Sequence, residues 1–156
     1  MKKKISTFLI LLFLSSCGYE AQYSLKNRVK YNFSIEELVL TGDRLINLKI
    51  KQQLRNYTNP KTEEGKIFVL EISSESEKII TAKNAAGDAT KFKNEIEIRV
   101  EVFMDKKPKM IFVIKEDYIY DSNSNTFELT SYENQIKNNL TESAVDKIIS
   151  KLADIT

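Results

Sequence analysis

NEIEIRVEVFM, residues 94–104, places an apolar side chain at every second position from Ile96 to Val102, and glutamates or Arg99 between them. A period of two is that of a β-strand, whose successive side chains point to opposite faces. The stretch therefore predicts a strand with one buried aliphatic face and one wet, charged face. A strand of this kind needs a second layer to cover its aliphatic face.

The residues after this strand predict a hairpin followed by a long helix. Residues 105–109, DKKPK, form a five-residue connection to a second strand over 110–120, and the two strands are expected to pair antiparallel. Beyond the loop at 121–126, apolar residues recur at spacings of three or four as far as Ile155, which indicates an amphipathic helix. Residues 130–133, TSYE, fit a capping box, although the helix could begin a few residues earlier.

The residues before this strand predict the other half of the sheet. A short strand over 33–40 leads to a helix over 44–57, with Asp43 or Thr41 as N-cap and Asn59-Pro60 as its stop. A long strand over 67–80 follows, then a turn at 85–88. The chain is thus expected to be α+β, a two-layer sandwich of about four mostly antiparallel strands packed by two helices, in the order β-α-β-β-β-α.

We expect the aliphatic face of residues 96–102 to pack under one face of the C-terminal helix. That face carries Ile136, Leu140, Ile148 and Leu152. Residues 32–156 are predicted to form a single domain, without internal repeats.

The first 17 residues have the layout of a bacterial lipoprotein signal. Three lysines precede an apolar run over 5–14, followed by Leu14-Ser15-Ser16-Cys17. The run is about ten residues, whereas a membrane-spanning helix needs roughly 20. The last four residues resemble a lipobox, which predicts a signal peptide over 1–16, thioether acylation of Cys17 and an acylated tether over 17–31. The alternative is an ordinary cleaved signal with an incidental cysteine. In lipoproteins of this kind Gly18, in place of an aspartate, favours the outer membrane.

Composition excludes several classes of function. The chain has 24 basic and 22 acidic residues, and loss of Lys2, Lys3 and Lys4 with the signal would leave 21 against 22. A neutral protein does not fit a general nucleic-acid binder. An RNA-reading sheet is also disfavoured, because the wet face of residues 94–104 lacks stacked aromatics. With no histidine, no nucleotide-binding or nucleophile-elbow motif and only four glycines, we expect no enzyme activity, metal or cofactor.

The opening CGYEAQYS and the order of elements resemble the lipopolysaccharide-assembly lipoprotein LptE family, alphaproteobacterial type. Tyr19 and Tyr23 stand at the aromatic and tyrosine places of its CGF.PLY opening, while Glu20-Ala21-Gln22 lacks the proline. The resemblance implies a lipid-anchored outer-membrane protein that faces the periplasm. It would be the partner and plug of the LptD β-barrel, lying in the barrel lumen and assisting lipopolysaccharide transport and insertion.

The resemblance also implies contact with lipopolysaccharide, whose phosphates favour lysine. Candidates are Lys83, Lys91 and Lys93 around the Gly87 turn, and a second group between the last two strands, Lys106, Lys107 and Lys109. The alternative is that both groups are solvated turn lysines. A different function stays open as well: a stand-alone periplasmic lipoprotein that binds or inhibits an envelope enzyme or captures a small ligand. Co-purification with LptD distinguishes the two functions.

Overall fold

The computed structural model describes residues 33–58 and 65–155, which form four strands and two helices. The elements are β1 (Phe33–Gly42), α1 (Arg44–Leu54), β2 (Lys66–Lys83), β3 (Ala89–Met104), β4 (Lys107–Asp121) and α2 (Thr126–Asp154). The predicted order and α+β class are confirmed. The predicted signal peptide, Cys17, the tether and the Asn59-Pro60 helix stop lie outside the described residues.

The sheet has the strand order β1-β2-β3-β4. β1 runs parallel to β2, and the other two neighbouring pairs are antiparallel. Parallel neighbours need a crossover, and α1 supplies it. The crossover leaves β1 at Gly42, which has a φ of +95° and would bring an added Cβ to 1.9 Å from the Ser74 carbonyl oxygen. Only glycine allows this close approach of β1 to β2.

Both helices contribute to one core on one face of the sheet. Ile96, Ile98, Val100 and Val102 of β3 are at most 1% exposed, as the alternation of residues 94–104 predicted. The core also contains Ile46, Ile50 and Leu54 of α1 and Ala144, Val145, Ile148, Ile149 and Leu152 of α2. Leu140 packs against this core half-buried, and Ile136 is buried nearby. The expected packing of β3 under α2 is therefore observed.

The connection between β3 and β4 is shorter than predicted. Only Asp105 and Lys106 form the turn, and both have positive φ, 53° and 59°. Two consecutive positive φ values define a type I′ turn, whose twist suits a tight hairpin. Lys107, Pro108 and Lys109 belong to β4 instead. Pro108 is tolerated there because β4 lies at the edge of the sheet and Pro108 adjoins a bulge, the two places where strands accept proline.

The ends of the helices also differ from the sequence-based expectation. The predicted capping box at Thr130 is wrong: α2 begins at Thr126, and the Asn125 side chain accepts hydrogen bonds from the N–H groups of Phe127 and Glu128. α1 ends at Leu54, three residues earlier than predicted. Asp43 is its N-cap, accepting from the N–H groups of Leu45 and Ile46 at 2.8 and 3.1 Å.

Candidate functional site

The turn between β2 and β3 holds the first group of predicted site lysines. The side chain of Asn84 accepts hydrogen bonds from the N–H groups of Ala86 and Asp88, at 3.0 and 2.9 Å. Gly87 has a φ of +92°, in the left-handed region that favours glycine. The conformation of the turn is therefore held by interactions among its own residues. The antiparallel register then places Lys83 and Lys91 close to it on neighbouring strands.

Two of these three lysines already have a carboxylate partner. Lys93 Nζ lies 2.6 Å from Glu95 Oε2, and this hydrogen bond raises the lysine pKa and lowers that of Glu95. Lys91 Nζ lies 2.7 Å from Asp121 Oδ1, but both side chains are at least half exposed, and such pairs are weak. Lys83 is exposed and has no ion-pair partner within the described residues. An incoming anion would thus meet Lys83 directly and would compete for Lys91.

The two groups of candidate lysines cannot form one site. Lys91 lies near the start of β3, whereas Lys106 lies in the turn beyond its end. The intervening strand is about 40 Å long at 3.3 Å per residue. The structure brings Lys83, Lys91 and Lys93 into one region and leaves Lys106, Lys107 and Lys109 at the opposite end of the sheet.

The face of the sheet away from the helices carries rows of facing carboxylates that sequence reasoning missed. We call it the open face. Three glutamates of β2 lie directly opposite three of β3, in the pairs Glu71 with Glu101, Glu75 with Glu97 and Glu77 with Glu95. Each β3 glutamate also forms a salt bridge, with Arg99, Lys115 or Lys93. The β2 glutamates form no salt bridge among the described residues. The sequence showed glutamates alternating on each strand, but their opposition needs the register.

A groove between β1 and α1 was also missed. It has a volume of about 740 Å³. Its apolar lining comes from Leu38 and Leu40 of β1 and Leu48 of α1, and its polar lining includes Glu36, Lys51, Gln52, Arg55 and Thr58. The volume lies within the range of small-molecule pockets. Leucines beside two cations suit an apolar group that carries an anion, although Glu36 reduces the local positive charge.

Asp43 joins three elements but acts as a structural group. Its Oδ2 accepts hydrogen bonds from Ser76 of β2 and Lys137 of α2, at 2.7 and 2.9 Å, while its Oδ1 caps α1. Partial burial pushes the pKa of Asp43 upward, but the hydrogen bonds from Ser76, Lys137 and Ile46 outweigh it. The pKa falls from 3.8 to about 2. An aspartate held ionised by three structural partners is not available as a proton donor.

The described residues show neither metal site nor membrane-spanning helix. No group of three histidine, cysteine, aspartate or glutamate side chains within residues 33–58 and 65–155 is arranged to hold a metal ion. Of the two described helices, neither combines the length and apolarity needed to cross a bilayer.

Comparison with known proteins identifies the fold. No protein-family model matches the chain, and no curated protein matches its sequence. Among solved structures, rare lipoprotein B from Shewanella oneidensis matches with a TM-score of 0.58 at 17% identity, over 76% of this chain and 95% of that one. The chain has the rare lipoprotein B fold. Lipoprotein B from Nitrosomonas europaea gives a TM-score of 0.58 at 14% identity, over 79% and 84% of the two chains. A Caulobacter crescentus lipoprotein gives 0.53 at 12% identity, over 77% and 88%.

Rare lipoprotein B proteins are LptE-like, so these likenesses support the expected LptE-like fold, while no sequence match addresses the alphaproteobacterial type. Identities below 25% establish a shared architecture and leave the residues of the site to be argued from this chain.

Proposed function

We propose that the chain is an LptE-type outer-membrane lipoprotein, the partner and plug of the LptD β-barrel. In this role it is not an enzyme: it assists barrel assembly and the insertion of lipopolysaccharide. The observation that carries the proposal is the agreement between the lipobox ending at Cys17 and a fold shared with rare lipoprotein B over 95% of that protein's chain. A lipid anchor and a matching domain are the two parts that such a partner needs.

The open face is compatible with this role. The lumen of a wide outer-membrane barrel is polar and contains water, so a plug needs a hydrated surface. Glu71, Glu75 and Glu77 supply such a surface across the middle of β2. Facing carboxylates are disfavoured in a dry apolar interface, because an unpaired buried charge is costly. This central part of the open face, on β2 and β3, therefore favours a wet or cationic neighbour over an apolar one.

Co-purification tests the partnership. The full chain, tagged at its C-terminus and extracted from membranes in detergent, is expected to bring LptD with it. Depleting the chain should lower the amount of assembled LptD and admit bulky apolar antibiotics. Normal LptD levels with an intact permeability barrier would contradict the proposal.

Lipid attachment at Cys17 has a separate test. Metabolic palmitate labelling should mark the wild-type chain and should fail in Cys17→Ala, since no other cysteine is present to form the thioether. The alanine variant should also stay uncleaved or leave the membrane. Label in the alanine variant would contradict the lipobox interpretation.

Lipopolysaccharide contact is proposed at Lys83, Lys91 and Lys93. Charge reversal of Lys91 and Lys93 to glutamate should weaken lipopolysaccharide binding more at low salt than at high salt, because exposed charges are screened within about 8 to 10 Å at physiological ionic strength. The matched control reverses Lys107 and Lys109, at the other end of the sheet. Equal loss in both variants would indicate a general charge effect and would remove the Gly87 turn as a site.

The groove between β1 and α1 favours a second candidate function, a stand-alone lipoprotein that captures a small anionic amphiphile. Its leucines would contact the chain of such a ligand, and Lys51 and Arg55 its head group. Leu48→Glu places a charge on the exposed side of the groove. If this variant loses binding of a fatty acid while the wild type never co-purifies with LptD, the second function replaces the first.

A further inference from the structure

The outer edge of β4 is the longer of the two open edges of the described sheet. β3 lies on one side of β4, and no strand among the described residues lies on the other. β4 is 15 residues long, against ten for β1 at the opposite edge. A long open edge presents a row of unpaired N–H and C=O groups and can accept another strand.

β4 also carries much of the exposed apolar surface. Five of the twelve large apolar side chains exposed among the described residues belong to it, namely Met110, Ile111, Val113, Tyr118 and Ile119. Residues 110–114, MIFVI, have no charge, glycine or proline. By contrast, β1 has one exposed large apolar side chain, Val39. Ile111, Val113 and Ile119 share the open face, whereas Met110 and Tyr118 lie on the other face. Both faces beside this edge thus carry exposed apolar surface of the kind found at interaction sites.

We propose that β4 pairs antiparallel with β4 of a second copy of this chain, about a two-fold axis at Val113. The two sheets would join edge to edge into one of eight strands. The backbone pairing would extend over residues 110–116, with Lys109 and Asp117 at its two ends, and would satisfy the outward backbone groups of this segment. This inference concerns the protein free of its barrel partner and does not depend on the proposed function.

The charges of β4 select this register. Lys115 pairs with Glu97 at 2.5 Å, and Glu116 pairs with Lys147, so both are neutralised within the chain. Lys109 and Asp117 have no ion-pair partner among the described residues. With the axis at Val113, Lys109 of each copy lies opposite Asp117 of the other, giving two opposite-charge cross-strand pairs.

Neighbouring registers are less favourable. Moving the axis to Phe112 places Lys109 opposite Lys115 of the second copy, a repulsive pair, and the compensating pair of Asp117 with Lys107 would lie beyond the bulge at Lys109. Moving it to Ile114 places Asp117 opposite Ile111 and leaves Lys109 opposite Ile119. The fold also limits the pairing at one end, because Lys109 has no partner on β3 and forms a bulge. A bulge bends an edge strand away from regular pairing, so the ladder is expected to stop there.

Cysteine cross-linking of the purified full chain in detergent, free of any barrel partner, tests the proposal. Val113→Cys at the axis should give about tenfold more disulfide-linked dimer on mild oxidation than Val39→Cys, since directly opposite residues lie within disulfide range. The two valines make a matched pair: both lie on the open face of an edge strand, and they are 43% and 40% exposed. The wild-type chain, whose one cysteine is Cys17, shows how much dimer that cysteine forms without Val113→Cys.

The register is tested by charge exchange in the Val113→Cys background. Lys109→Asp alone should reduce the dimer several-fold, because it faces Asp117 of the second copy, and Lys109→Asp with Asp117→Lys should restore it. Failure of the double exchange to restore the dimer would overturn the register. Equal cross-linking of Val113→Cys and Val39→Cys would overturn the surface itself. A cross-link from Val113→Cys only to a different polypeptide that co-purifies would assign the β4 edge to another partner and overturn self-pairing.

Discussion

On β3, Ile98 and Val100 are fully buried under the helices, whereas Glu97 and Arg99, their neighbours along the chain, lie on the open face. The covered face is held by aliphatic packing, to which β2, β3 and both helices contribute. The open face is held by exposed ion pairs such as Arg99 with Glu101, and it contains facing glutamates that oppose folding. Stability and interaction thus belong to different faces of the same strands, so changes on the two faces should have effects of different size and sign.

The largest effect is expected from a charge introduced on the covered face. Val100→Asp, or Leu140→Asp on the helix above it, should abolish or severely lower the cooperative thermal transition, since a buried carboxylate without a partner costs several kcal/mol. Glu101→Ala, on the open face, is the control and should change the free energy of unfolding by at most about 0.5 kcal/mol. A Val100→Asp melt that matched the wild type would contradict the packing of β3 under α2.

A smaller effect is expected at the close approach of β1 to β2. Gly42→Ala brings a Cβ against the Ser74 carbonyl oxygen in addition to straining a positive φ, whereas Gly87→Ala has the same φ problem with nothing within 4 Å. We expect a loss of about 1 to 2 kcal/mol for Gly87→Ala and clearly more for Gly42→Ala. Urea unfolding of the two variants measures the difference. Equal losses would mean that β1 can move away from β2 at no cost.

Acid should lower the free energy of unfolding, because it protonates Asp43. Its pKa is lower in the folded chain, about 2, than the usual 3.8, so the stabilisation is fully present above pH 4 and is lost as pH falls toward 2. The contribution is about 1 to 2 kcal/mol, allowing for partial exposure. Asp43→Asn should lower stability at pH 7 and flatten this part of the pH profile. A variant with an unchanged slope between pH 4 and pH 2 would assign the acid sensitivity to other carboxyl groups.

The smallest effect, and one of opposite sign, is expected on the open face. Glu71→Lys converts the facing pair of Glu71 and Glu101 into an attractive one and should stabilise the fold by about 0.2 to 1 kcal/mol. The gain should shrink in high salt, because both side chains meet solvent. Thermal melts at low and high ionic strength check both statements. Destabilisation at low salt would show that Glu71 has a favourable role that the cross-strand register does not reveal.

Local periodicity was enough to predict which residues form the covered face. Ile96 to Val102 alternate with period two, and Ile46, Ile50 and Leu54 recur at helical spacing, so each element shows its buried side without reference to any other. Asp43 could likewise be named as an N-cap, because a cap acts on the next three residues. The element order and the α+β class follow from such local signals.

The turns and helix caps were harder to predict from the sequence, because the same residues fit several local conformations. Residues 105–109 read as one polar connection, yet a two-residue type I′ turn at Asp105-Lys106 lets the strands continue and keep their ladder bonds. Thr130 to Glu133 match a capping box, yet Asn125 caps a helix that starts five residues sooner. In both places the longer regular element satisfies more backbone groups than the shorter one.

The lipobox pattern, the order of elements, their buried sides and the near-neutral charge of the predicted mature chain can all be read from local sequence patterns. The folded chain is needed to see that Glu71, Glu75 and Glu77 face glutamates on β3, that Lys93 is neutralised by Glu95, and that Asp43 joins β2 and α2. The difference lies in how far apart along the chain the interacting residues are. Helix and strand periods arise from neighbouring residues along the chain, whereas cross-strand register, ion pairing and open edges depend on segments that meet only after folding, and charges alternate too regularly along β2 and β3 to reveal which of them will meet.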